Sequence, residues 1–115
     1  MSVIIFHNPR CGKSRQTLQL LKDQDIEPEV IEYLKTPPTA AELDDILHKL
    51  AMEPRELMRK KEPEYKTNQL DNLALDRKAL IQAMVEHPIL IERPIVLANG
   101  TAALGRPPEN VLDIL

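Results

Sequence analysis

The 115 residues include one cysteine, no tryptophan, one phenylalanine and two tyrosines. A lone thiol, Cys11, cannot close an internal disulfide, which excludes a disulfide-stapled secreted scaffold. A structural zinc site built on two or more cysteines is excluded as well. With Phe6, Tyr33 and Tyr65 as the only rings, a stacking platform for single-stranded nucleic acid cannot be assembled. Positive charge is not in excess either: the net charge is -3. The broad basic field that duplex binding requires is missing, so no nucleic-acid partner is expected. Long apolar runs are lacking too. Met1-Ser2-Val3-Ile4-Ile5-Phe6 has no basic leader and ends at His7, which predicts neither a signal peptide nor a membrane span. The expected location is the cytoplasm, where a single thiol stays reduced.

What is present is an ordinary globular composition, 43% hydrophobic and 29% charged. It predicts a single domain, residues 1–115, with a core of Leu, Ile, Val, Ala and Met. Val3 to Phe6 is short, apolar and bounded by Asn8-Pro9, and reads as a buried strand. Thr17, Leu18, Leu20 and Leu21 are spaced for one face of a helix over 14–24. Glu29 to Tyr33, entered through Pro28 and left through Pro37-Pro38, reads as a second strand. Thr39 stands three residues before Glu42, a capping box that opens a helix to about Leu50. Pro54 opens a short helix carrying Leu57, Met58 and Arg59. The polar stretch 60–72 is expected to be irregular. Asp76 caps a helix that Pro88 ends. Ile95 to Ala98 and Thr101 to Leu104 flank Asn99-Gly100, a strong hairpin signal. Pro107-Pro108 opens a last helix through Val111, Leu112 and Leu115. The order β-α-β, helical middle, β-β-α predicts an α/β fold: a thioredoxin-like mixed sheet with a helical insertion.

Chemistry concentrates in His7-Asn8-Pro9-Arg10-Cys11-Gly12-Lys13-Ser14-Arg15, between the first strand and the first helix. Unpaired N–H groups and the helix dipole favour an anion at such a junction. A cysteine there is expected to have a lowered pKa, aided by Arg10, Lys13 and Arg15. With polar and charged neighbours on both sides, burial of the thiol among apolar groups is not expected. Gly12-Lys13-Ser14 resembles the end of a phosphate loop, but the glycine needed five residues earlier is His7. A tyrosine-phosphatase loop needs arginine six residues after the cysteine, and that position is Thr17. Cys11-Gly12-Lys13-Ser14 is a C-x-x-S loop. Serine at the fourth position removes an internal resolving thiol, so another molecule must resolve any disulfide of Cys11. His7 either tunes this thiol or is a strand-end residue satisfied by backbone.

Two arginines precede prolines, Arg93-Pro94 and Arg106-Pro107, which constrains the direction in which their side chains leave the backbone. Pro94, just before the third strand, is a candidate cis proline facing the nucleophile. Arg59 stands at the end of the middle helices. Guanidinium forks bind two oxygens of an oxyanion at once. Taken singly, each arginine is more readily read as a solvated surface charge, and spacing alone does not bring the three together.

Several separated blocks together resemble the glutaredoxin-coupled arsenate reductases. They are His7-Asn8-Pro9-x-Cys11-x-x-Ser14-Arg15-x-Thr17, Tyr33-Leu34-x-x-Pro37-Pro38, Leu57-x-Arg59-Lys60, and His87-Pro88-Ile89-Leu90-Ile91-x-Arg93-Pro94-Ile95-Val96. Arg106-Pro107 and Val111-Leu112-Asp113-Ile114-Leu115 complete the set. The match is to a short member of that family. The resemblance implies a catalytic nucleophile at Cys11, oxyanion ligands at Arg59, Arg93 and Arg106, and thiol tuning by His7, Ser14 and Arg15. It implies arsenate as substrate, glutathione as co-substrate and glutaredoxin as reductant, with no bound cofactor, no metal and no membrane partner. A monothiol-glutaredoxin-like protein handling glutathione or an iron–sulfur cluster is the alternative, as is a non-catalytic binding module of the same fold.

Overall fold

In the computed structural model, which describes residues 2–115, four short strands form one mixed sheet. They are β1 (Ile4–His7), β2 (Glu29–Glu32), β3 (Ile95–Ala98) and β4 (Thr101–Leu104), in spatial order β2-β1-β3-β4. β1 and β2 run parallel, joined by helix α1 (Gly12–Asp23), while β3 is antiparallel to both β1 and β4. This is the thioredoxin-like arrangement. The chain divides into two compact units. One is the segment up to Thr36 together with Arg93–Leu115; the other is Pro37–Glu92.

The first unit holds the sheet. Ile5 of β1 pairs with Val96 of β3, and Val3 and Ala98 lie two residues away on the same face. Leu21 of α1 and Val111 complete that core, with Leu18, Leu20 and Ile26 packed at its margin. Phe6 and Ile95, the next pair along the ladder, are buried as well. Because neither face of these two strands is open to water, they read as continuous apolar runs rather than alternating ones. The hairpin between β3 and β4 turns at Asn99 and Gly100, both with positive φ (54° and 75°), as a tight two-residue turn of this hand requires. The final segment, Pro108–Ile114, is a 3₁₀ helix rather than the α-helix expected there.

The second unit is helical: α2 (Ala40–Leu50), α3 (Pro54–Leu57), α4 (Pro63–Thr67) and α5 (Arg77–Glu86), then a 3₁₀ turn at Pro88–Leu90. Both halves of the Thr39/Glu42 capping box are made, each at 3.1 Å. The Asp76 carboxylate caps α5 by accepting the Ala79 N–H at 2.8 Å. α4 lies inside the stretch expected to be irregular. It is five residues long and buries none of them, so it leaves no apolar periodicity in the sequence. Among the described residues, no helix is long and apolar enough to cross a membrane.

Leu21 is fully buried between α1 and the sheet. Leu21→Ala is expected to cost about 2–5 kcal/mol. A urea titration monitored by circular dichroism measures this; a loss under about 1 kcal/mol, the range of volume-conserving core swaps, is the contrary result.

Candidate active site around Cys11

β1 ends at His7 and α1 begins at Gly12, so the loop between them has four residues to turn the chain. Asn8 makes that turn. Its carbonyl accepts the Cys11 N–H at 3.0 Å and its Oδ1 accepts the Arg10 N–H at 3.0 Å. Its own N–H donates to Ser14 Oγ at 3.0 Å. The Ser14 hydroxyl is 2.6 Å from His7 Nδ1, and both residues are buried. Arg15 reaches back to donate from its guanidinium to the Pro9 carbonyl at 3.0 Å. The loop is therefore cross-laced from both ends, and Cys11 occupies the N-cap position of α1.

The thiol is buried, only 7% exposed. Its surroundings are nevertheless polar, which is why burial and reactivity coexist. Arg106 Nη2 donates to Cys11 Sγ at 3.6 Å, and Arg106 Nε donates to the Arg93 carbonyl at 2.9 Å. The Arg93 guanidinium is the side chain that most lowers the pKa of the same thiol, through hydrogen bonding and charge. Burial is the largest influence on the thiol and pushes its pKa up. The Arg93 hydrogen bond and charge, with the backbone N–H groups of Ser14 and Lys13, more than reverse this, and the pKa lies below its ordinary value. Sγ forms no capping hydrogen bond of ordinary geometry, so the first-turn N–H groups act on it through their dipoles. The lowering charge comes from Arg93, across the fold, whereas the sequence pointed to Arg10, Lys13 and Arg15. Of those, Arg15 is engaged with the loop backbone.

His7 and Ser14 serve the loop. Burial is the main reason the His7 pKa falls; Arg15 and Lys22 add to the fall, and Glu32, its partner across the β1–β2 ladder, opposes it. A neutral ring fits the network. Ser14 Oγ accepts the Asn8 N–H and shares a second hydrogen bond with His7 Nδ1, whose direction follows the imidazole tautomer. The Ser14 hydroxyl is thus committed to His7 and Asn8, and Ser14 acts on the thiol through its backbone N–H.

The Arg93–Pro94 peptide is cis, and so is Arg106–Pro107. Arg59 belongs to the second unit. There its guanidinium meets Glu92 at 2.7 Å and Glu62 at 3.6 Å, and its backbone N–H donates to the Leu90 carbonyl at 2.7 Å. Two residues of the Cys11 site went unassigned in the sequence, Thr17 and Gly105. Thr17 is fully buried and donates from Oγ1 to the Lys13 carbonyl at 2.8 Å. Gly105, next to Arg106, donates its N–H to the Pro94 carbonyl at 2.9 Å. Its signal was scarcity: it is one of three glycines in the chain. Among the described residues, no group of three or more His, Cys, Asp or Glu could hold a metal ion.

Comparison with known proteins places the chain in a family. The ArsC family matches residues 6–114. An arsenate reductase of Neisseria meningitidis is 54% identical over 112 residues, covering 96% of each chain. The uncharacterized Escherichia coli K12 protein YfgD is 59% identical over 114 residues, covering 98% of this chain and 96% of its own. The solved structure of an arsenate reductase from Vibrio cholerae superposes with a TM-score of 0.97 at 54% identity, covering 100% of this chain and 98% of that one. The chain belongs to the ArsC family.

Two measurements follow from these shifts. The pH midpoint of Cys11 alkylation by iodoacetamide is expected below the free-cysteine value of about 8.5, and Arg93→Ala is expected to raise it. A wild-type midpoint at or above the free value contradicts the site. For His7 the folded pKa is depressed, so the unfolded chain binds more protons as pH falls. Stability from this group is intact above about pH 6.5 and is lost as pH drops from there through the folded pKa. Urea midpoints at pH 7 and pH 5 are expected to differ more for the wild type than for His7→Asn; equal differences assign the acid sensitivity elsewhere.

Proposed function

We propose that the protein reduces arsenate to arsenite, with Cys11 as nucleophile and thiols from glutathione and glutaredoxin as reductant. The observation that supports it most is the pair of arginines acting on one buried thiol: Arg106 Nη2 at 3.6 Å from Sγ, and Arg93 as the side chain that most lowers the thiol pKa. One guanidinium suffices to lower a thiol pKa. Two, on a family fold shared with proteins called arsenate reductases, suit a substrate that brings its own negative charge.

The chemistry proceeds in balanced steps. The Cys11 thiolate attacks arsenic, and an arsenic oxygen leaves as water after protonation, forming an S–As bond. Arg93 and Arg106 offset charge on the remaining oxygens. The chain has no second cysteine, so the next thiol comes from outside. Glutathione displaces another oxygen as water. A glutaredoxin thiolate then attacks the glutathione sulfur, and the electron pair of that S–As bond stays on arsenic. Arsenic passes from the pentavalent to the trivalent state, and the two thiols leave as a mixed disulfide. Water cleaves the Cys11–As bond, freeing arsenite and the thiol. Phosphate fits the same charges but thiols do not reduce it, so selectivity arises in the electron transfer. No metal or bound cofactor enters the scheme, and the reducing thiol pool it draws on is that of the cytoplasm.

Arsenate-dependent NADPH oxidation, coupled through glutathione reductase, glutathione and glutaredoxin, tests the proposal. Cys11→Ser is expected to abolish turnover with the thermal midpoint little changed. Arg93→Lys and Arg106→Lys keep the charge but lose the fork, and are expected to lower arsenate capture about ten- to a hundred-fold. Alkylation by a neutral reagent is expected to change much less. A parallel fall in both rates assigns the arginines to the thiol alone and removes the oxyanion site.

A further inference from the structure

The approach of Gly105 to Thr17 and Pro94 is too close for any other residue. A Cβ built on Gly105 would lie 2.6 Å from Thr17 Oγ1, 2.8 Å from Pro94 Cγ and 3.2 Å from Thr17 Cγ2. None of these atoms can move aside cheaply. Thr17 is fully buried, and its hydroxyl is held by the Lys13 carbonyl at 2.8 Å. Rotating it away would strand a buried donor. The Pro94 ring is buried, and the Pro94 carbonyl accepts the Gly105 N–H at 2.9 Å. Each partner also borders a residue of the site. Gly105 precedes Arg106, Pro94 follows Arg93, and Thr17 is on the second turn of the helix that Cys11 caps.

We propose that Gly105 and Thr17 are positioning residues. The bare Cα of Gly105 against the Thr17 side chain sets how closely the Arg93–Pro94 and Arg106 segments approach α1, and so where both guanidinium groups meet the Cys11 sulfur. The arginines are attached to the sheet side of the fold and the thiol to the helix. Their separation is therefore a separation of backbones, and the Gly105–Thr17 contact is a point at which the Arg106 segment meets α1 with no room for a side chain of its own. The 3.6 Å Arg106–Sγ contact leaves little slack. An outward shift of one ångström takes it past hydrogen-bond range. The link to catalysis rests on the oxyanion reading of the site; the link to the thiol does not.

Gly105→Ala and Thr17→Val test this, the second replacing the hydroxyl by a larger methyl at the same contact. The readouts are the pH midpoint of Cys11 alkylation, the KM for arsenate and the thermal midpoint. In Gly105→Ala the alkylation midpoint is expected to move up toward about 8.5, and KM to rise about ten-fold. Thr17→Val is expected to move both in the same direction by less. Thr17→Ala placed in the Gly105→Ala background removes two of the three close contacts, and is expected to return part of each shift. A protein that merely lost packing would show a lower thermal midpoint with the alkylation midpoint unmoved. That result in Gly105→Ala, or in Thr17→Val should Gly105→Ala fail to fold, overturns the proposal. If the alkylation midpoint shifts as expected while the wild type consumes no arsenate, positioning of the thiol stands and the arsenate reading falls.

Discussion

A thiolate withdrawn from water is unstable unless positive potential replaces the water it has lost. Cys11 is 7% exposed, and burial alone would keep it protonated and inert. Everything distinctive about the surrounding structure answers that penalty. The N-terminus of α1 supplies oriented N–H groups. Arg93 and Arg106 supply full charges from the two ends of the β3–β4 hairpin. The loop from Asn8 to Cys11 is fixed by hydrogen bonds so that the sulfur faces both sources. A rigid array of this kind is already oriented before any negative charge arrives, which is the condition under which electrostatic stabilisation is most effective.

The local parts of this arrangement were legible in the sequence because their causes are local. The Asn99-Gly100 turn is specified by two residues that tolerate positive φ. The Thr39/Glu42 box is specified by two side chains three residues apart. The place of Cys11 at a strand-to-helix junction follows from where the short apolar run Val3 to Phe6 stops and helical periodicity starts. α4 was not legible, since its five residues bury nothing and carry no period. Nor was the origin of the charge on the thiol. Arg10, Lys13 and Arg15 are adjacent in sequence, whereas Arg106, which touches Sγ, is 95 residues away. Adjacency along a chain does not fix where a long side chain ends, and Arg15 curls back to Pro9.

Ser14 shows how motif and mechanism can part. At the fourth position of the C-x-x-S loop it invites the idea of a hydroxyl directed at the thiol. Its hydroxyl instead links Asn8 and His7, while its backbone N–H is what acts on the sulfur. Any residue but proline contributes an N–H at that point of the helix. What serine adds is a small side chain that is fully buried and makes two hydrogen bonds at once, which fastens β1 to α1 across the loop. His7 enters the same network with its charged form disfavoured by burial.

The economy of the site has a further consequence. A chain with one cysteine can form only one bond to a thiophilic centre, so the electrons for a reduction at that centre come from outside thiols. A second thiol must therefore reach whatever is bonded to Sγ. Yet Sγ is buried, and two arginines occupy its surroundings. Direct attack at the sulfur is thus disfavoured relative to attack on a group bonded to it, which projects further toward solvent. On the proposed reading, the Arg93 charge that lowers the thiol pKa also draws a second anionic thiolate toward that group. Charge that activates the nucleophile then also favours the approach of its successor.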